Sequence, residues 1–118
     1  MKFKLFILTV LLGLAPVSHA ADPAETRFER MFADAARAYD ENRLPDAIAG
    51  WQSLVGEGQR LPEVLFNLGN AYYRNGQLGE AVRAYREAQR LAPRDPDIRA
   101  NLGFAAQSAG ITLPERRP

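Results

Sequence analysis

Cysteine is absent from all 118 residues, the only histidine is His19, and the only lysines are Lys2 and Lys4. All three of these residues lie within the first twenty positions, which read as an export signal. Removing that segment leaves 98 residues with no imidazole, thiol or amine side chain. Such a chain cannot build a His-based triad, a thiol nucleophile, a Schiff-base lysine, a zinc site from Cys or His, or an internal disulfide. Only carboxylates, hydroxyls and arginines remain for chemistry, so the composition points to a non-enzymatic protein without cofactor or metal.

An excess of one charge is also missing. The precursor carries a formal +1, and without Lys2 and Lys4 there are 13 arginines against 14 acids, interspersed along the chain. That balance leaves no electrostatic footprint for DNA or RNA, and no nucleic-acid partner is expected.

Long apolar runs are limited to one. Met1–Lys4 are basic, Leu5–Ala15 form an apolar stretch of 11, and Ser18-His19-Ala20 places small residues where a signal peptidase reads. This is the order of a secretory signal, with cleavage expected after Ala20 and a periplasmic or otherwise exported product. The run is short for a bilayer span, which takes roughly 20 apolar residues; an uncleaved anchor is the alternative. No lipidated cysteine is available, and no membrane span is expected after cleavage.

What is present is a repeat. Ala47 and Ala81 are 34 positions apart, and the same offset relates Phe32 to Phe66, Tyr39 to Tyr73, Leu44 to Leu78, Ile48 to Val82 and Trp51 to Tyr85. Further along it links Pro62 to Pro96, Asn67 to Asn101, Leu68 to Leu102 and Gly69 to Gly103, without a gap. The clearest copy, 62–95, contains Leu65-Phe66-Asn67-Leu68-Gly69-Asn70-Ala71-Tyr72, then Ala81, Tyr85 and Pro93. It resembles the tetratricopeptide repeat (TPR), with Leu65 at the usual tryptophan and Tyr85 at the usual phenylalanine. The preceding copy, 28–61, is degenerate: Ala35 replaces the glycine, Asp34 a leucine and Gln59 the closing proline. A third, 96–110, stops after one helix. The expected architecture is an all-α, TPR-type solenoid of helical hairpins. It has about two and a half repeats within a domain at 21–110, the last helix acting as a C-terminal cap, and a disordered tail at 111–118.

Local signals place five helices. Asp22, Pro23 and Glu25 form a cap, first-turn proline and capping-box acid for a helix at 23–42. Pro45, Pro62 and Pro96 open others, giving 45–57, 62–75, 78–92 and 96–109, and Asn75-Gly76 and Gly110 supply left-handed stops. Leu65, Leu68 and Tyr72 should face Leu78, Ala81, Val82, Tyr85 and Ala88, with Gly69 and Ala81 bare at the crossing. Trp51 is expected in the core of the first pair, with a surface role as the alternative. Ile98, Leu102, Gly103 and Ala106 should pack the last helix backward, leaving Arg99 and Gln107 wet.

The resemblance implies a concave groove lined by the first helix of each repeat, with a protein or peptide as partner. Carried onto this chain, matching positions form ladders: Phe32 with Phe66, Tyr39 with Tyr73, Asn67 with Asn101. Phe104, Asn70, Arg74 and Glu63 lie nearby. Aromatic rings would cover apolar side chains of a segment while asparagine amides bond its backbone. The basic clamp of chaperone-binding members is missing. Asn67 matches one of its asparagines, but Phe32, Ala36, Asp97 and Asn101 occupy the other matching places, so capture of that acidic C-terminal tail is not implied.

Other constellations read as structure. Asp95 and Asp97 flank a first-turn proline and suit helix capping. Asp40-Glu41 are solvated charge at a helix end. Arg83, Arg86 and Arg90 with Glu80 and Glu87 match a salt-bridged helix face at three- and four-residue spacing. The alternatives to a groove-binding adaptor are a self-associating module, since incomplete repeats leave apolar ends and make a homo-oligomer a candidate state, and a carboxylate-based hydrolase.

More narrowly, the signal segment, the degenerate first copy, Asn67 to Tyr73, Gly79-Glu80-Ala81 and Arg94 to Leu102 are together similar to the periplasmic part of the Bat (Bacteroides aerotolerance) TPR proteins. That resemblance implies an envelope or stress-tolerance complex beside von Willebrand factor A-type partners. The membrane helices such proteins often carry are missing here, as expected of a short exported relative or a piece of a longer chain.

Overall fold

Five helices follow one another in the computed structural model, which describes residues 26–115: α1 Arg27–Asp40, α2 Leu44–Gly56, α3 Pro62–Arg74, α4 Leu78–Leu91 and α5 Pro96–Ala109. No strand occurs among the described residues. The export segment and the Asp22-Pro23-Glu25 start lie outside them. The expected span of the first helix is corrected at both ends. Thr26, in extended backbone, is its N-cap, and the capping box joins the Thr26 side chain to the Glu29 N–H while the Glu29 carboxylate accepts from the Thr26 N–H at 2.7 Å. The box repeats the expected chemistry one turn further on, where the acid again stands three residues after the cap.

The helix stops carry the 34-residue repeat in backbone form. Asn42, Gly76 and Gly110 have φ of 59°, 77° and 68°. Behind each, the following N–H reaches back five residues: Arg43 to the Ala38 carbonyl, Gln77 to Tyr72 and Ile111 to Ala106, at 2.8–2.9 Å. This closing bond satisfies a carbonyl that the helix leaves over. Asn75 itself is right-handed at φ −81°, so the left-handed position after α3 belongs to Gly76 alone. At the start of α5 the Asp95 carboxylate accepts from the Asp97 and Ile98 N–H groups, the capping role expected of it.

Each helix packs on its neighbours in sequence. In addition α1 touches α3 and α3 touches α5, whereas α2 and α4 do not approach one another. First helices therefore line one wall and second helices splay on the other. Trp51 is buried at 2 % exposure between the Phe32 and Tyr39 rings, centroids 6.2 and 6.0 Å away. That is the core position expected, and its indole N–H has no partner. Burying a side chain of this size contributes strongly to so small a domain.

Among the expectations about packing, the bare Gly69 holds and two others need correction. Gly69 is bare at the crossing as expected, where a Cβ would meet the Tyr85 ring at 2.6 Å, and Ala81 is fully buried. In the first hairpin the close approach sits at Gly50, where a Cβ would stand 2.8 Å from that of Ala35. On α5 the buried set is Ile98, Leu102, Ala105 and Ala106, while Gly103 faces open space because no second helix covers it. Finally, Glu87 pairs with Arg60 across the fold, and neither Glu80 nor Glu87 pairs with an arginine of α4. Those arginines extend into solvent, where an intrahelical pair gains little. Residues 111–115 form neither helix nor strand, and Leu113 packs against the α4–α5 core; 116–118 lie outside the described residues.

Candidate functional site

On the wall made by the first helices, Tyr39, Asn70, Tyr73, Arg74, Tyr85, Asn101 and Phe104 enclose a hollow of about 310 Å³. Helical spacing explains how they meet. Asn70, Tyr73 and Arg74 stand three and four apart on α3, and Asn101 and Phe104 three apart on α5, so each set shares one face. Tyr39 enters from the last turn of α1. Tyr85 belongs to α4 and reaches the floor only because its ring slides over Gly69.

The floor is a hydrogen-bonded knot. The Tyr85 hydroxyl donates to Asn70 Oδ1, and Asn101 Nδ2 donates to the same oxygen at 3.0 Å. Burial pushes the Tyr85 phenol up from its ordinary value, so it stays a neutral donor. With both bonds on Asn70 Oδ1, the Asn70 amide N–H₂ and the Asn101 carbonyl oxygen have no partner in the protein. One donor and one acceptor side by side match a peptide group.

The rim is aromatic and basic. The Arg74 guanidinium lies 4.5 Å over the Tyr39 ring, a cation–π arrangement, and donates to Asn42 Oδ1 at 3.3 Å. It has no carboxylate partner. The Tyr73 hydroxyl is 3.4 Å from Ser108 Oγ, and Phe104 is exposed at 66 %. Among the described residues no cluster of three or more His, Asp or Glu side chains has the spacing to hold a metal ion.

The sequence-derived set thus divides. Tyr39, Asn70, Tyr73, Arg74, Asn101 and Phe104 converge. Glu63 and Phe66 line a separate hollow with Asp95 and Ile98, near the N-terminal ends of α3 and α5. Phe32 packs on Trp51 and on Phe28 in the first hairpin's core. Asn67 is half-buried, and Asn101 pairs with Asn70 instead of forming a row with it. Tyr85 was missed, because the pattern reads it as a second-helix core residue. The available signal was its hydroxyl, since a buried tyrosine needs a partner for that one polar atom.

A family model described as TPR repeat matches residues 69–110, from the middle of α3 to the end of α5. No curated protein matches the chain. With five helices in hairpin order, the fold is an all-α TPR-type helical solenoid. TPR repeats generally mediate protein–protein interaction, and no helix among the described residues is long and apolar enough to cross a membrane.

Proposed function

We propose that this protein is a non-catalytic exported adaptor that holds a segment of a partner protein in the hollow between α1, α3 and α5. The observation that carries this reading is the unspent Asn70 amide N–H₂ beside the unspent Asn101 oxygen, ringed by Tyr39, Tyr73 and Phe104. Such a floor bonds the backbone of a segment while the rings cover its apolar side chains, giving affinity with loose sequence demands. The basic opening, apolar run and small-residue site of Met1–Ala20 support a periplasmic setting. The similarity to Bat proteins narrows the setting to an envelope or stress-tolerance complex.

The test is capture from a periplasmic extract by cross-linking and mass spectrometry, comparing the original chain with Tyr73→Ala/Asn101→Ala. Both side chains sit at the surface of the hollow, so circular dichroism should be unchanged while the partner is lost. Undiminished capture by the variant overturns the assignment. For the setting, fractionation should recover a periplasmic protein beginning at Ala21.

Self-association is a second reading, favoured by Gly103. It lies 34 residues after Gly69, yet nothing stands within 4 Å of a Cβ built there, so α5 offers an uncovered seat to another copy. Light scattering over a range of concentrations decides it, and a strictly monomeric species removes it.

A further inference from the structure

A second furrow runs along the opposite wall. Because α2 and α4 both pack on α3 but do not meet, they leave a hollow of about 380 Å³ whose floor includes Val55, Leu65, Leu68 and Tyr72. The Tyr72 hydroxyl is occupied, accepting from Gln52 Nε2. Arg83, Arg86 and Arg90, at three- and four-residue spacing on α4, line one side of it, all exposed.

Their charge is not cancelled locally. Glu87, the nearest acid on the same helix, is held by Arg60, and none of the three guanidinium groups has a carboxylate within ion-pair distance. Glu80 is the other acid on this wall, exposed and unpaired. The furrow therefore presents three free arginine forks and one free carboxylate above a floor where Val55 and Tyr72 are part-exposed and Leu65 and Leu68 are buried. A near-neutral protein has here a local excess of positive charge next to apolar surface.

We infer that this convex furrow is a second docking surface, for an acidic peptide segment that carries apolar side chains among its carboxylates. Arginine forks bind carboxylates bidentately, and the half-buried Val55 and Tyr72 at the floor, with Leu65 and Leu68 behind them in the core, take apolar side chains out of water. Nucleic acid fits less well, since phosphates would satisfy the arginines but nothing aliphatic would reach the floor. A membrane fits less well too, because the apolar groups lie at the bottom of a furrow and not on a protruding face. The surface is distinct from the Asn70–Asn101 hollow and does not depend on the reading given for it.

The probe is a fluorescein-labelled peptide of alternating glutamate and leucine, followed by fluorescence anisotropy with the full chain. Binding should saturate, weaken roughly tenfold or more in Arg83→Glu/Arg86→Glu/Arg90→Glu, fall with added salt, and persist in Tyr73→Ala/Asn101→Ala. The neutral set Arg83→Gln/Arg86→Gln/Arg90→Gln, with its helicity checked by circular dichroism, should also weaken it. Matched peptides with serine for leucine, or lysine for glutamate, should bind poorly. The inference is overturned by arginine-set variants that bind as well as the original, by a serine peptide as good as the leucine one, or by tighter binding of a labelled single-stranded oligonucleotide or anionic phospholipid vesicles.

Discussion

The ring of Tyr85 lies across the bare Cα of Gly69, so close that a Cβ there would stand 2.6 Å from both Cδ1 and Cε1. This contact joins stability to the candidate site. The same ring carries the hydroxyl that orients Asn70, and Asn70 in turn holds Asn101. A single missing methyl thus lets a core side chain from the second helix appear on the floor of a groove built from first helices.

Replacing Gly69 by alanine should lower stability by about 1–3 kcal/mol through overpacking, despite the gain in helix propensity of ~1 kcal/mol. Urea denaturation reads the loss. A variant as stable as the original would mean that the ring is free to move aside.

Gly50 and Ala35 make the corresponding approach in the first hairpin, with a Cβ-to-Cβ distance of 2.8 Å if Gly50 gained one. Gly50→Ala should destabilise, and Ala35→Gly should cost about 1 kcal/mol by propensity. The double exchange should be more stable than the two separate losses predict, with a coupling of roughly 0.5–3 kcal/mol. Simple additivity in a double-mutant cycle contradicts the contact.

Burial raises the Tyr85 phenol above its ordinary 10.0. The unfolded chain then releases this proton at lower pH than the folded one, so the contribution is whole below pH 10.0 and is lost as pH rises beyond it. Thermal melts in alkaline buffers should show a steeper decline for the original than for Tyr85→Phe. At neutral pH the same variant should lose about 0.5–1.5 kcal/mol with the hydroxyl's bond. Parallel alkaline profiles for the two proteins would count against a buried phenol.

Asn42 holds the left-handed position at φ 59° that glycine fills after α2, α3 and α5, at Gly58, Gly76 and Gly110. Asn42→Ala should cost about 1–2 kcal/mol, since a Cβ without a local polar bond is disfavoured there. Asn42→Gly should come close to the original, less the Arg74 hydrogen bond. The melting midpoints of the three proteins check this, and the order Gly above Ala is the discriminating result.

How far the pattern could be read depends on the residue. The span of α5 matched its expected 96–109, since Asp95, Pro96 and Gly110 are all local signals. The start of α1 was misplaced by four residues because the same cap pattern occurs twice in succession, at Asp22–Glu25 and Thr26–Glu29, and α1 begins behind Thr26. Among the groove residues, Tyr39 and Tyr73 could be found by the repeat offset. Phe32 obeyed the same offset yet serves the Trp51 core, since one step of periodicity gives the face of a helix but not what the next helix places against it.

By itself the amino-acid order determined where helices begin and stop, which stripe of each is apolar, and that the unit recurs every 34 positions. Caps, first-turn prolines and left-handed residues act within about five residues of chain, so these were written locally. Tertiary structure alone decided that Tyr85 passes over Gly69 to reach Asn70, that Gly50 yields to Ala35, and that Glu87 turns to Arg60 and leaves three arginines of α4 unpaired. Each joins residues 15 or more positions apart. Which side chains meet there depends on how helices rotate and how closely they pack, and that is set by volume and not by spacing along the chain.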